Sequence, residues 1–340
     1  MSRRHDIDDT QPSAMLTEYL EPIQDFLNDK ALTEICINHP NEVWTECSQG
    51  WTHYKIPNLS FQHCRQLATL IASYNSKAIS SDKPILSAVL PNGERVQVII
   101  PPACTAYTVS ITIRKPSIID KTLEELDSEG AFSEFMDIND DLHPFEYELL
   151  TLKKEKHIKE FLDLAVRKHR NILIVGKTGS GKTTITKSLI NSIPKDERLI
   201  TIEDVHELFM THYPNKVHLF YGREDEGGAK VTAKQALASC LRMKPDRILL
   251  AELRGDESWE FIKSINTGHP GSISTMHANG AYEAFEQLTA LIKDSRTGAH
   301  LDTTYIKHRL FTTLDVILFY NNRKLQEIYY DPEFKRKKMG

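Results

Sequence analysis

The chain has 340 residues, room for two domains at roughly 100–200 residues each. Its 40% apolar and 26% charged residues are ordinary for a globular protein, and a net charge of −5 argues against a chain built to coat nucleic acid. No apolar run approaches the ~18 residues that span a bilayer, and the polar Met1–Thr10 stretch lacks the apolar core of a secretory signal, so the expected compartment is the cytoplasm.

Residues 1–12 read as a disordered arm. An amphipathic helix is predicted from about Ala14, with Leu16, Tyr19, Leu20, Ile23, Phe26 and Leu27 on one side. Short strands follow at 34–38, 43–47 and 52–56, and then a helix capped by Ser60 and running to about Tyr74. Further strands are expected at 85–90, 95–100 and 108–114, the first two joined by Pro91-Asn92-Gly93, a strong hairpin signal. This half, 13–119, is therefore expected to be a small α+β domain rich in antiparallel strands.

Between Asp120 and Asp141 acidic residues dominate, with Lys121 the single basic one. The segment 120–146 reads as a solvated interdomain linker. From there to residue 333 strands and helices alternate. A helix is predicted at 155–169, strands at 171–175, 199–203, 247–253 and 272–276, and a closing hairpin at 316–320 and 325–330. Apolar stretches such as Ile172-Leu173-Ile174-Val175 belong in a parallel sheet covered on both faces. Lys335-Arg336-Lys337-Lys338 lies in the last segment, 334–340, a basic tail suited to solvent or to an anionic membrane surface. The five cysteines lie far apart, none at C-x-x-C spacing, and read as scattered thiols.

The chemistry centres on Gly176-Lys177-Thr178-Gly179-Ser180-Gly181-Lys182-Thr183, which satisfies G-x-x-x-x-G-K-[ST] and lies between an apolar strand and a helix. Glycines let the backbone wrap so that its N–H groups, with the start of the helix at Thr184, face phosphate oxygens. Lys182 neutralises the outer phosphates, and the Thr183 hydroxyl is a Mg²⁺ ligand. Cleavage also needs a carboxylate near the γ-phosphate. Glu203-Asp204 and Glu252 stand at the ends of buried strands, where ligands of open α/β sheets collect. His269 and His277 bracket a short strand beside Thr275 and are candidates to contact phosphate or to sense whether the γ-phosphate is present. Zinc is not expected, because no cysteine or acidic cluster completes a ligand set. A guanine-reading [NT]-K-x-D segment is absent, since Asn215-Lys216-Val217-His218 lacks the acid.

Four boxes in this order resemble the secretion ATPase superfamily of type II and type IV secretion. They are 176–183, Thr201-Ile202-Glu203-Asp204, the run 241–255 ending Glu252-Leu253-Arg254-Gly255, and the histidine box 268–279. Within it the chain is most similar to the hexameric traffic ATPases of type IV secretion and conjugation. The resemblance implies a RecA-like ATPase domain, a ring-forming N-terminal domain, and N-domain arginines that reach the phosphates, for which Arg95 and Arg114 are the matching positions. It also implies Glu203 and Asp204 as the acidic box, with Glu203 as a Mg²⁺ ligand, Glu252 as the Walker B glutamate, and His269 and His277 as the histidine box. Which glutamate positions the attacking water stays open. Implied partners are five further copies of the chain and other cytoplasmic or inner-membrane secretion components, with peripheral association at the inner membrane and no sequence-specific nucleic acid. The missing zinc cysteines favour the type IV branch over a type II or pilus assembly ATPase. A DNA translocase finds no basic stripe to support it.

Overall fold

The computed structural model describes residues 11–116, 121–135, 141–222 and 231–339. Most of the expected N-terminal arm, and parts of the expected linker, lie outside the described residues.

The N-terminal half opens with α1 (Gln11–Leu20), a 3-10 turn and α2 (Gln24–Asn28). Strands β1 (Glu34–Ile37), β2 (Glu42–Cys47) and β3 (Gly50–Lys55) precede α3 (Phe61–Tyr74), whose N-cap Ser60 accepts from the His63 amide. Strands β4 (Ile85–Val89), β5 (Arg95–Ile99) and β6 (Ser110–Arg114) complete an antiparallel sheet of order β3-β2-β1-β6-β5-β4. Leu67, Ala68 and Ile71 of α3 and Leu16 and Leu20 of α1 pack with Ile35, Val98 and Ile111 of the sheet. Each such leucine, isoleucine or valine, fully buried, stabilises by roughly 1.5–3 kcal/mol.

In the segment read as a linker, α4 (Leu123–Ser128) carries a capping box between Thr122 and Glu125. The helix expected at 155–169 is α6 (Ile158–Arg167), and a further helix, α5 (Pro144–Lys154), precedes it. Pro144 suits the first turn of α5, where its missing N–H costs nothing, and Glu146 reaches back to the His143 amide at 2.9 Å. His143-Pro144 therefore starts a helix rather than ending a spacer.

Next come β7 (Ile172–Gly176), α7 (Lys182–Asn191), β8 (Leu199–Glu203), β9 (Lys216–Phe220), α8 (Ala233–Cys240), β10 (Arg247–Leu250) and α9 (Glu257–Asn266). The chain closes with β11 (Ile273–Met276), α10 (Glu283–Asp294), α11 (Thr303–Thr313), β12 (Val316–Asn321), β13 (Lys324–Tyr329) and α12 (Pro332–Met339). The sheet order is β13-β12-β7-β11-β10-β8-β9, parallel except for the β12–β13 hairpin. Separate apolar clusters cover its two faces, which explains the unbroken apolar text of β7. Strand β9 was not foreseen.

The two halves meet at the amino ends of the large sheet and along its β9 edge. Arg198, fully buried before β8, donates to Asn38 Oδ1 at 2.8 Å, Asn215 Oδ1 at 2.6 Å and the Met243 carbonyl at 2.9 Å. Trp51 donates to Asp246 at 3.2 Å, Lys244 pairs with Glu46 at 2.8 Å, and the Phe220 amide donates to the Ala103 carbonyl.

The basic end is not a free tail. In α12, Lys335 pairs with buried Asp315 and Arg336 with buried Glu146, at 2.7 and 2.8 Å. Lys337 and Lys338 remain exposed. A local count of charges cannot show this, because both partners are distant in sequence.

Glu34, in β1 beside this junction, is 3% exposed, and its carboxylate lies 3.7 Å from Arg114. Burial, outweighing the attraction of Arg114, pushes it from 4.5 up to about 7. The folded state thus keeps this proton at pH values where the unfolded chain has released it. Stability is lost as pH rises from about 4.5 through 7, and the penalty is complete above that. Glu34→Gln should therefore stabilise the protein increasingly between pH 5 and 8, reaching about 2–3 kcal/mol. Thermal denaturation of both proteins across that range checks it; an advantage independent of pH would contradict the assignment.

Candidate functional site

Strands β7, β11, β10 and β8 run parallel in matched register, so their carboxyl ends lie along one edge. That edge gathers Gly176, Glu203 with Asp204, Glu252 and His277 from four separate stretches of sequence. Gly176 is required by close approach, since a Cβ there would sit 2.2 Å from the Tyr320 carbonyl oxygen of β12. Gly181 has φ of 102°, a left-handed conformation that glycine adopts without steric cost, and is the N-cap of α7. The loop therefore turns tightly between strand and helix, with Lys177, Thr178, Gly179 and Ser180 in its bend and Thr183 and Thr184 exposed in the first turn of α7.

Lys182 Nζ donates to the Gly176 and Lys177 carbonyls at 2.8 and 3.0 Å. Burial pulls it below the usual lysine range, Arg254 adds to this, and Glu252 works against it. The ammonium thus lies within the field of the Glu252 carboxylate.

Glu252 and Asp204 are joined by Arg254. Its Nη1 meets Asp204 Oδ2 at 2.7 Å, its Nε donates to Glu252 Oε2 at 2.6 Å, and its Nη2 contacts the same oxygen. The other oxygen, Glu252 Oε1, is 2.8 Å from His277 Nε2. Glu257, buried at the start of α9, accepts from the Arg254 and Gly255 amides at 2.6 and 2.9 Å and so fixes the turn that carries the arginine. Thr275 braces the same edge by donating to the Ala251 carbonyl at 2.7 Å. Neither Arg254 nor Glu257 was assigned a role from sequence. An arginine two residues after the strand-end glutamate was the available signal.

Glu203 has a different environment. It is fully buried; Oε1 accepts from Thr201 at 2.6 Å and lies 3.3 Å from His218 Nδ1, and Oε2 accepts from the Glu207 and Leu208 amides, each at 2.8 Å. Burial alone would raise its pKa, but the His218 and Thr201 hydrogen bonds and the two amides outweigh it and hold the carboxyl below the usual range. Its oxygens are taken up in folding the loop after β8, so the placement fits a positioning group better than the metal ligand expected from sequence. His206 joins Glu203 and His218, with one ligand-type atom from each within 4.8 Å, a grouping that depends on the unforeseen strand β9.

His269, Arg95 and Arg114 are not brought to this edge. His269 Nδ1 donates to the Pro245 carbonyl at 3.1 Å, before β10, and burial keeps the imidazole below its usual range. Arg95 and Arg114 are cross-strand partners in β5 and β6, and line a cleft of about 800 Å³ with His269, Arg242 and Lys244. This cleft lies at the amino ends of the large sheet. A strand of four or five residues, at ~3.3 Å each, separates it from the loop edge. Within one chain these arginines do not meet Lys182.

The family model described as "Type II/IV secretion system protein" matches residues 17–319. The chain belongs to the type II/IV secretion system protein family. It is 45% identical over 333 residues to type IV secretion system protein VirB11 of Brucella suis, covering 95% of this chain and 92% of that one. It is likewise 45% identical over 351 residues to VirB11 of Bartonella quintana, covering 99% and 98%. The crystal structure of the Brucella suis VirB11 ATPase, in complex with sulphate, superposes with a TM-score of 0.92 at 43% identity, over 98% of this chain and 99% of that one. The chain is accordingly an ATP-hydrolysing secretion ATPase of the type IV kind.

Because Arg254 holds both carboxylates in place, Arg254→Ala should lower kcat about 10²-fold while changing the KM for ATP much less. Steady-state ATP turnover tests this. A wild-type kcat would remove Arg254 from the working site.

Proposed function

We propose that this ATPase works as a homo-hexameric ring that powers assembly of, or substrate transfer through, a type IV secretion apparatus. The observation that carries it is the division of parts within one chain. The phosphate loop and the carboxylates share the carboxyl edge of the large sheet, while Arg95 and Arg114 face the opposite edge. Arginines suited to a phosphoryl-transfer transition state would then serve the nucleotide of another copy, so that hydrolysis requires a ring.

In this reading the loop from Gly176 to Thr183, with Thr184, binds the phosphates, and Lys182 leaves its own loop carbonyls for the β- and γ-oxygens. Mg²⁺ fits the donor set: the Thr183 hydroxyl is exposed at the start of α7, and buried Glu252 Oε1 accepts no hydrogen bond, although His277 Nε2 lies 2.8 Å away. Bound there, the ion would neutralise charge on the phosphates. Glu252 is the carboxylate better placed to orient water, flanked by His277 and held by Arg254; Glu203 and Asp204 shape and anchor the adjoining loop. His269, at the far edge with Arg95 and Arg114, belongs to the surface offered to the neighbouring copy.

Partners of this reading are other cytoplasmic or inner-membrane components of the apparatus. Among the described residues no helix is long and apolar enough to cross a membrane. Peripheral association with the inner membrane is the localisation we favour, with Lys337 and Lys338 the basic residues of α12 left exposed to an anionic surface.

Glu252→Gln should cut kcat by 10²-fold or more with ATP affinity within a few fold. Normal turnover would sink its catalytic assignment. The ring is tested by mixing two inactive variants, Lys182→Ala and Arg114→Ala. In mixed rings, some interfaces join an intact loop to an intact arginine, so turnover should exceed the sum of the separate rates and rise together with six-subunit mass. Additive rates would contradict an arginine supplied by a neighbour.

A further inference from the structure

We propose that Arg323, in the turn between β12 and β13, holds the nucleoside end of the bound nucleotide. Asn321 pairs with Lys324, leaving Asn322-Arg323 as a two-residue hairpin turn with φ of 49° and 60°. Such turns need positive φ at both positions and favour Asn-Gly, so an arginine in the second place is strained where glycine would not be. The backbone supplies no reason for the arginine. Its N–H donates to the Ser180 carbonyl at 2.9 Å, a bond that glycine would make equally well.

The side chain does have a distinctive position. Its Cβ and Cγ lie 3.7 and 3.8 Å from where a Cβ on Gly181 would stand, so it passes directly over the end of the phosphate loop. It is exposed, and among the described residues it has no ion pair or side-chain hydrogen bond. It also occupies the flank that the cleavage residues leave free. Glu252 and His277 come from β10 and β11 on one side of β7, whereas β12 lies on the other. A nucleotide whose γ-phosphate points to Glu252 therefore has its α-phosphate and base directed to the β12 flank. A guanidinium there can stack on the face of the base. The inference deepens the proposed nucleotide orientation and rests on it.

Arg323→Gly keeps the turn and should leave the melting temperature unchanged or higher. The KM for ATP and the inhibition constant of ADP should each rise five- to tenfold, with less than a twofold change in kcat. Inhibition by inorganic tripolyphosphate, which has no nucleoside, should be unaltered. Unchanged KM and ADP inhibition would overturn the inference. So would equal weakening of ADP and tripolyphosphate, which would assign the side chain to the phosphates alone. Lys182→Ala is the control for the underlying reading: it should weaken tripolyphosphate strongly. If it does not, the loop itself is misread, and the inference falls with it whatever Arg323→Gly shows.

Discussion

The relation between the two halves depends on Arg198. A guanidinium carries five N–H donors and tolerates burial only where acceptors surround it. Here they come from both halves: Asn38 after β1, Thr112 in β6, and Asn215 and Met243 of the C-terminal half, with Trp51 stacked 5.5 Å from the guanidinium. The N-terminal sheet is thereby fixed at the amino ends of β8 and β10, where Trp51 also reaches Asp246. Everything that β5 and β6 display at that cleft faces away from the chain's own phosphate loop. In the proposed ring, the division of the catalytic parts between copies would follow from where one buried arginine finds its acceptors.

At the other edge, the limiting factor is how precisely the carboxylates are held. Two acids near a triphosphate repel it unless their charge is directed elsewhere, and Arg254 does this by bridging Asp204 and Glu252. Glu257 then fixes the backbone of Arg254 itself. Among the described residues Glu203 meets no arginine and is satisfied by amides, a hydroxyl and His218, the environment of a group that shapes a loop. Two carboxylates that look alike in sequence, each ending a buried strand, are thus separated by their partners.

Much of this edge was legible in the sequence. The loop, Glu203 and Glu252 each follow an apolar run, and parallel strands in register must finish together, so linear spacing translated into proximity. The histidine box was only half legible: His277 follows β11 and reaches Glu252, whereas His269 precedes the same strand and sits a strand's length away. Strand β9 was missed although Lys216 and His218 alternate with Val217 and Leu219 as a strand can, because it lacks the unbroken apolar run that marks β7. Without it, the grouping of Thr201, Glu203 and His218 could not be anticipated. The placement of Arg95 and Arg114 was beyond reach for another reason. It is set by polar contacts between residues 86 or more positions apart, which leave no periodic trace.

The C-terminal helix carries the same lesson to the phosphate loop. Asp315 precedes β12; one of its carboxylate oxygens accepts from the Asn171 amide at the start of β7, and the other meets Lys335 of α12. Asn171 in turn donates to the Thr313 carbonyl and accepts from the Gly271 amide, tying β7 to β11 and to the approach to β12. From that anchored end β7 and β12 run side by side to Gly176 and Tyr320, where backbone meets backbone and only glycine fits. The turn beyond Tyr320 then bonds Ser180 within the loop. A residue read from sequence as one more charge on a solvated tail is, in the fold, the outermost link holding the strand pair on which the nucleotide loop rests. Its effect on the loop passes through backbone register, because one parallel strand cannot slide against its neighbour without moving every contact at both ends.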